Sequence, residues 1–231
     1  MCDLDLRLYV LGQLPFFKHL SQTTIKDINN LFVERGYSEE EIIYLTGSPA
    51  ERLFVIADGN VKLMHHTPSG KSVMLDILKQ GEFFGSLSHH ENDRYFETAQ
   101  SQTNVCTLSI DGGDFRHLLN NHPQVTVKVM DVMVQRLQDA QAKVRLLSAS
   151  TVEQRLAFVL LKLGEKLGES NDLGWLIQLP LGRADLAELT GTTTETVSRV
   201  MSQFQKEKFI QTGRRWIAIT DQPGLAKLTE N

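Results

Sequence analysis

A change of hydrophobic period at Pro123 limits what this chain can fold into more than any other feature. Upstream, the apolar runs are short and strand-like: Glu41 to Leu45, Leu53 to Ile56, Val61 to His65 and Val73 to Leu78. They are separated by Gly47-Ser48-Pro49, Asp58-Gly59, Pro68-Ser69-Gly70 and Gln80-Gly81, residues that supply positive φ or a pre-set turn. Asp58-Gly59 and Ser69-Gly70 read as hairpin reversals. This pattern, from Tyr37 to Ile110, predicts an antiparallel sandwich or barrel, with a short packing helix over Ser21 to Glu34 ahead of it. Downstream, Met130, Met133, Leu137, Ala140, Val144 and Leu147 recur at spacings of 3, 4, 3, 4 and 3. That is a heptad stripe on one long helix. On this register Arg136 falls at g and Gln141 at e. The stripe predicts a parallel homodimer, the alternative being a helix that lies on its own barrel.

From Thr151 the text changes again. Gln154 to Leu167 is an amphipathic helix, Gly168 to Gly174 a polar loop and Leu176 to Leu179 a short strand. Arg183 to Leu189 and Thr194 to Gln205 then read as two helices around Thr190-Gly191-Thr192-Thr193, the tight glycine-containing connection of a helix-turn-helix. Phe209 to Thr212 and Arg215 to Thr220 read as a β-hairpin wing. The expected fold class is therefore α+β: residues 1–122 an antiparallel sandwich or barrel domain, 123–150 a dimerisation helix, and 151–231 a winged helix-turn-helix.

Composition removes several alternatives. With 231 residues, 41% hydrophobic and 23% charged, the chain can bury a real core. A formal net charge of −4 excludes a polycation that coats nucleic acid by charge alone. No apolar run is long enough to cross a membrane, and the first residues lack a basic leader, so the expected location is the cytoplasm. Two cysteines, Cys2 and Cys106, make no disulfide framework or four-thiolate cluster, so reduced thiols are expected. No phosphate loop, His-Glu-x-x-His, nucleophile elbow or Cys-x-x-Cys is present, and the chain is not expected to be an enzyme.

The chemistry concentrates on Thr194, Glu195, Ser198 and Arg199. Glu195, Ser198 and Arg199 are related by i, i+3 and i+4 and share one helix face, while Val197, Val200, Met201 and Phe204 form the opposite one. Arginine matches O6 and N7 of guanine, glutamate accepts from N4 of cytosine, and serine uses its hydroxyl, so this face can read base edges in a major groove. A competing role is a Thr192-x-x-Glu195 capping box with Arg199 paired to Glu195. Lys206, Lys208, Arg214 and Arg215 supply candidate phosphate contacts.

The segments Gly81-Glu-Phe-Phe-Gly85, Leu186-Ala-Glu-Leu-Thr-Gly191, Glu195-Thr-Val-Ser-Arg199 and Ile210-Gln-Thr-Gly-Arg-Arg-Trp-Ile217, in this order, make the chain resemble the Crp/Fnr superfamily of bacterial transcription regulators from about Leu14 to Thr220. The resemblance implies that residues 1–122 are a β-roll effector-sensing domain, with double-stranded DNA carrying a TTGA-type or GTA-type palindrome and RNA polymerase as partners. Cyclic-nucleotide members carry a carboxylate where Ser86 stands, and an Arg-Ser pair where Tyr95-Phe96 stand, so the cassette departs from cyclic-AMP binding. It looks more like the NtcA branch, which implies a 2-oxoglutarate-like anion held by Phe84, Gly85, Ser86, Leu87, Arg94, Tyr95, Arg136 and Gln141. Two guanidiniums and backbone N–H groups after Gly85 suit such an anion. A haem-based nitric oxide sensor is the other alternative, with His65-His66, His89-His90, Cys2 and Cys106 as possible ligands. No metal site is expected.

Overall fold

The computed structural model describes residues 2–67, 70–87 and 92–229. The chain divides into two compact units, Met1–Asp139 and Ala140–Asn231. The first opens with α1 (Leu4–Gln13), started by the Asp3 carboxylate accepting the Leu6 N–H at 2.8 Å, and α2 (Gln22–Asn29), capped by Ser21. The helix expected to reach Glu34 stops at Asn30, whose N–H turns back to the Asp27 and Ile28 carbonyls. Val33-Glu34-Arg35 instead belong to β1 (Val33–Tyr37), because a strand lies ready to pair with them.

Seven more strands follow: β2 (Ile42–Tyr44), β3 (Arg52–Asp58), β4 (Val61–His66), β5 (Ser72–Leu78), β6 (Phe83–Gly85), β7 (Thr98–Ser101) and β8 (Val105–Asp111). They form two antiparallel sheets, ordered β1-β8-β3-β6 and β2-β7-β4-β5. β4 and β5 are a hairpin, as expected, although Pro68-Ser69 of its turn lie outside the described residues. Asp58-Gly59 is not a hairpin. It carries the chain from one sheet to the other, because β3 pairs with β6 and β8 and β4 with β5 and β7.

Strand β3 explains the layering. Its text Leu53-Phe-Val-Ile-Ala57 is buried throughout, as expected of a strand covered on both faces. Phe54 and Ile56 point between the sheets, where they meet Tyr44, Val61, Leu78, Phe84, Tyr95 and Ala99. Leu53, Val55 and Ala57 point the other way, into a second cluster with Val10, Leu11 and Leu14 of α1, Ile25 and Ile28 of α2, and Phe115 and Leu118 of α3 (Gly112–Asn121). Val125 of α4 (Pro123–Ala149) is buried in that same cluster, and Val129, Val132 and Met133 pack against it.

Reduced thiols are not what the structure shows. Cys2 and Cys106 are joined by a disulfide. They are 104 residues apart, so proximity is invisible in the text, but seating α1 beside β8 brings their Cα atoms to 6.6 Å, within bridging range.

The second unit contains α5 (Val152–Leu167), opened by a reciprocal Thr151–Gln154 capping box. Its sheet, ordered β11-β12-β10-β9, comprises β9 (Gly168–Asn171), β10 (Gly174–Ile177), β11 (Ile210–Gly213) and β12 (Trp216–Ile219). The loop expected over Gly168 to Gly174 is thus mostly strand, since Glu169 and Ser170 pair with Leu176 and Trp175. Between β10 and β11 lie α6 (Arg183–Thr190) and α7 (Thr194–Lys206), and α8 (Gln222–Thr229) closes the chain. No described helix is long and apolar enough to cross a membrane.

Candidate functional site

Gly191 makes the turn between α6 and α7. It takes φ 64°, a left-handed conformation that glycine adopts without a Cβ penalty, and its N–H closes on the Ala187 carbonyl. Thr192 N–H donates to the same carbonyl at 3.0 Å. Two contacts brace the turn: buried Thr190 Oγ1 donates to Leu186 O at 2.6 Å, and half-buried Arg155 Nη1 of α5 donates to Thr190 O at 2.8 Å. Helix α7 then starts one residue later than the Thr192 capping box would require. Thr193 is the cap, and its hydroxyl accepts the Thr196 N–H at 3.2 Å. Of the three consecutive threonines the turn makes the second, not the first, the cap.

That start leaves Thr194, Glu195 and Arg199 exposed and Ser198 half-buried, while Val197, Val200, Met201 and Phe204 are buried on the opposite side. Among the described residues no ion pair joins Glu195 to Arg199. The Glu195 carboxyl accepts from its own backbone N–H and from the Thr193 hydroxyl, which holds its pKa below the usual carboxylate range. It is therefore an ionised acceptor at neutral pH. Gln205 Nε2 donates to Thr212 Oγ1 at 2.8 Å, tying α7 to the wing. Arg214 and Arg215 form the two-residue tip between Gly213 and Trp216, and both are exposed, as are Lys206 and Lys208. The result is a face of directional hydrogen-bonding groups flanked by cations, which suits base edges flanked by phosphates.

Along α4 the exposed apolar stripe differs from the expected one. Met130, Leu137 and Val144 are 64%, 60% and 63% exposed, and Ala140 and Leu147 are exposed too. Met133, however, packs on the core of its own unit, so it leaves the stripe. The fully exposed heptad is Val127, Met130, Val134, Leu137, Gln141 and Val144, again spaced 3, 4, 3, 4 and 3. Gln141 thereby moves from e to a, a polar residue in an apolar seam, and Arg136 moves from g to c. Polar a positions fix register and strand number in coiled coils at some cost in stability.

The effector residues are only partly brought together. Phe84 is buried and stacked on Phe54, with centroids 5.1 Å apart. Tyr95 is buried, stacked on Tyr44 at 3.7 Å, and its hydroxyl both donates to Arg52 O and accepts from Arg52 N–H. The two guanidiniums do not form a clamp. Arg94 is exposed and donates to Gly47 O at 2.9 Å, whereas Arg136 Nη2 donates to Phe83 O at 2.6 Å with its guanidinium over the Phe83 ring. Nor is the Ser86 N–H free for an anion. Gly85, at φ 90°, turns the chain so that this N–H donates to Arg52 O at 3.0 Å. Leu87 packs at the edge of the helix-covered cluster.

One residue of this region escaped sequence reasoning. Glu97 is 4% exposed; its Oε1 accepts from Tyr44 Oη at 2.7 Å, and its Oε2 is buried with no hydrogen-bond partner among the described residues. Burial raises its pKa, an effect that the Tyr44 hydrogen bond and the charge of Arg136 only partly offset. Nothing in the alternation of Phe96-Glu-Thr98 marks a buried carboxyl. A group whose folded pKa is raised contributes stability at low pH that is lost as pH rises through that pKa. Glu97→Gln is therefore expected to melt above the parent protein at pH 8 and to lose the advantage toward pH 5, with a slope of at most about 1.4 kcal/mol per pH unit. Thermal melts across that range check this, and a pH-independent difference would contradict it.

For haem, His66 is exposed at the end of β4, while three other candidates are already engaged. His65 Nδ1 lies 2.8 Å from Phe96 O, and each cysteine sulfur is bonded to the other. His89-His90 lie outside the described residues.

Two family models match the chain: a cyclic nucleotide-binding domain over residues 34–122 and a Crp-like helix-turn-helix domain over residues 154–228. The chain belongs to the Crp/Fnr superfamily of transcription regulators. Within this superfamily it is 23% identical over 218 residues to the CRP-like cAMP-activated global transcriptional regulator of Mycobacterium tuberculosis, covering 94% of this chain and 97% of that one. It is 28% identical over 199 residues to the cyclic AMP receptor protein of Thermus thermophilus, covering 86% and 89%. In fold it is similar to FixK2 of Bradyrhizobium japonicum, with a TM-score of 0.76 at 24% identity, covering 85% and 96%. As a Crp/Fnr member it is a DNA-binding regulator, with a cyclic-nucleotide-binding-like β domain ahead of its helix-turn-helix.

Proposed function

We propose that this Crp/Fnr protein is a cytoplasmic homodimer that reads a palindromic duplex and controls transcription by RNA polymerase in response to a small effector. The observation that carries the reading is the two-sided α7: Glu195, Ser198 and Arg199 outward, Val197, Val200, Met201 and Phe204 inward. Glu195 and Arg199 would read a C·G pair and Ser198 its neighbour, while Lys206, Lys208, Arg214 and Arg215 neutralise phosphates. Two copies joined along the exposed α4 seam would present α7 to successive major grooves about 34 Å apart, which demands a palindrome.

For the effector, the proposal is an anionic metabolite of the 2-oxoglutarate kind anchored on Arg136. Asp76, Glu82 and Glu97 all act on the Arg136 charge, so an added anion is held best when Glu97 is protonated, which its raised pKa favours. The relatives named for cyclic AMP make that nucleotide the comparison ligand.

Fluorescence anisotropy with a labelled TTGA-type palindrome tests both levels. The protein should prefer it to a scrambled duplex by at least tenfold, with affinity changed by 2-oxoglutarate and not by cyclic AMP. Equal affinity for both duplexes would remove the base-reading role. A response to cyclic AMP alone would reassign the effector.

A further inference from the structure

We propose that the first unit binds its anionic effector together with one proton, and that Glu97 is the side chain that receives the proton. The inference deepens the effector reading above and rests on it. Glu97 stands just ahead of β7, and its two oxygens have unequal surroundings. Oε1 accepts from Tyr44 Oη, whereas Oε2 is fully buried and has no hydrogen-bond partner among the described residues. A charged oxygen held in that way costs free energy until it is neutralised or paired. Tyr44 does not relieve it. Burial and the neighbouring carboxyl push the Tyr44 pKa far up, so its hydroxyl keeps its proton and remains a donor to Oε1.

The groups that face Glu97 come from several elements. Tyr44 of β2 lies stacked on Tyr95. His65 of β4 and Arg136 of α4 both act on the Glu97 charge and favour its ionised form, and burial outweighs them. Arg136 is itself held in place, donating to Phe83 O with its guanidinium over the Phe83 ring. Asp76 of β5 and Glu82, which precedes β6, act on that same guanidinium, so one permanent cation faces three carboxyls. While all three are ionised, an anion approaching Arg136 meets three like charges at close range.

Protonating Glu97 on Oε2 changes two things at once. It removes one of the three like charges, and it turns an unpaired acceptor into an O–H donor. An oxygen of the incoming anion is the acceptor that this donor lacks. Anion and proton therefore complete each other, the anion satisfying the new O–H and the proton lifting a repulsion. A cationic ligand group would satisfy the ionised oxygen instead, but it would have to stand beside Arg136, and its arrival would expel protons. Linkage is reciprocal: acid tightens effector binding, and bound effector raises the Glu97 pKa further. The unit thus reads anion and proton jointly. Arg136 carries the result onto α4, where Val134 and Leu137 on either side of it are exposed.

Calorimetry of the full-length protein with 2-oxoglutarate tests this, at several pH values from 6 to 8.5 and in two buffers of different ionisation enthalpy. The carboxyls of that ligand stay ionised across the range, so an exchanged proton belongs to the protein. The difference in heat between buffers should report uptake that rises toward one proton per subunit where the free carboxyl is ionised. Over the same interval affinity should weaken by up to about tenfold per pH unit. Glu97→Gln, which keeps a donor and cannot titrate, should bind equally well at every pH and exchange no proton, while His65→Gln should keep the uptake. Affinity independent of pH in the parent would overturn the proposal, and so would proton release on binding. Uptake that survives in Glu97→Gln and vanishes in His65→Gln would overturn it too. If 2-oxoglutarate does not bind at any pH, the effector reading fails by itself. The proton site is then judged from the infrared spectrum of the ligand-free protein at pH 6. A protonated-carboxyl band that Glu97→Gln lacks supports it, and the absence of such a band overturns it.

Discussion

Arg199→Ala is expected to remove sequence preference while leaving non-specific binding nearly intact. The side chain is exposed on α7, carries no ion pair to Glu195, and projects from a helix whose other face is locked by Val197, Val200, Met201 and Phe204. Losing one bidentate guanine contact costs roughly 1–3 kcal/mol of discrimination, about ten- to hundredfold in relative affinity. Arg214→Ala, at the wing tip, should weaken the palindrome and a scrambled duplex alike and lower the salt dependence by about one counterion. Anisotropy on both duplexes at two salt concentrations separates the outcomes. If both variants lose the same factor on both duplexes, the division between base reading and phosphate contact is wrong.

A larger loss is expected from Leu137→Glu. Leu137 is 60% exposed in the single chain, between Val134 and Gln141 in the seam. In a parallel pair the two copies of this residue would face each other in an apolar interface. Each glutamate would then be a buried charge opposite its like, at a cost of at least about 3 kcal/mol. The variant should sediment as a monomer and lose palindrome affinity more than a hundredfold, yet melt within a few degrees of the parent, since the side chain supports nothing in its own subunit. Met133→Glu makes the contrast, because Met133 packs on its own core. That change should unfold the first unit rather than separate subunits. Dimers persisting in Leu137→Glu would place the interface elsewhere.

The second unit was almost fully legible, for a local reason. Glu195, Ser198 and Arg199 lie within five residues, and their shared face follows from helical period alone. In the helix-turn-helix only the cap moved, from Thr192 to Thr193, whereas the loop expected over Gly168 to Gly174 became largely β9 and α8 was not foreseen. What escaped the text depends on partners far along the chain. Val33 and Glu34 read as helix because β8, seventy-odd residues on, cannot be seen from α2. Met133 and Val134 are equally apolar neighbours, and only the packed cluster decides which turns inward. Cys2, Cys106 and Glu97 carry no pattern at all. Their environments are products of the completed fold, as is the capture of the Ser86 N–H by Arg52.

Strand β3 gives the first unit a mechanical property. Alternate residues of one five-residue run serve two different clusters, Phe54 and Ile56 facing the aromatic stack of Tyr44 and Tyr95, and Leu53, Val55 and Ala57 facing the helices. Close-packed interiors transmit displacement rather than absorb it. A guest that pushes Phe54 by a fraction of an ångström must therefore push Leu53 and Val55 by as much, and with them the inner edge of α4. The strand works as a shared wall between two rooms, so that whatever is felt in one is handed to the other without any chain of polar intermediaries.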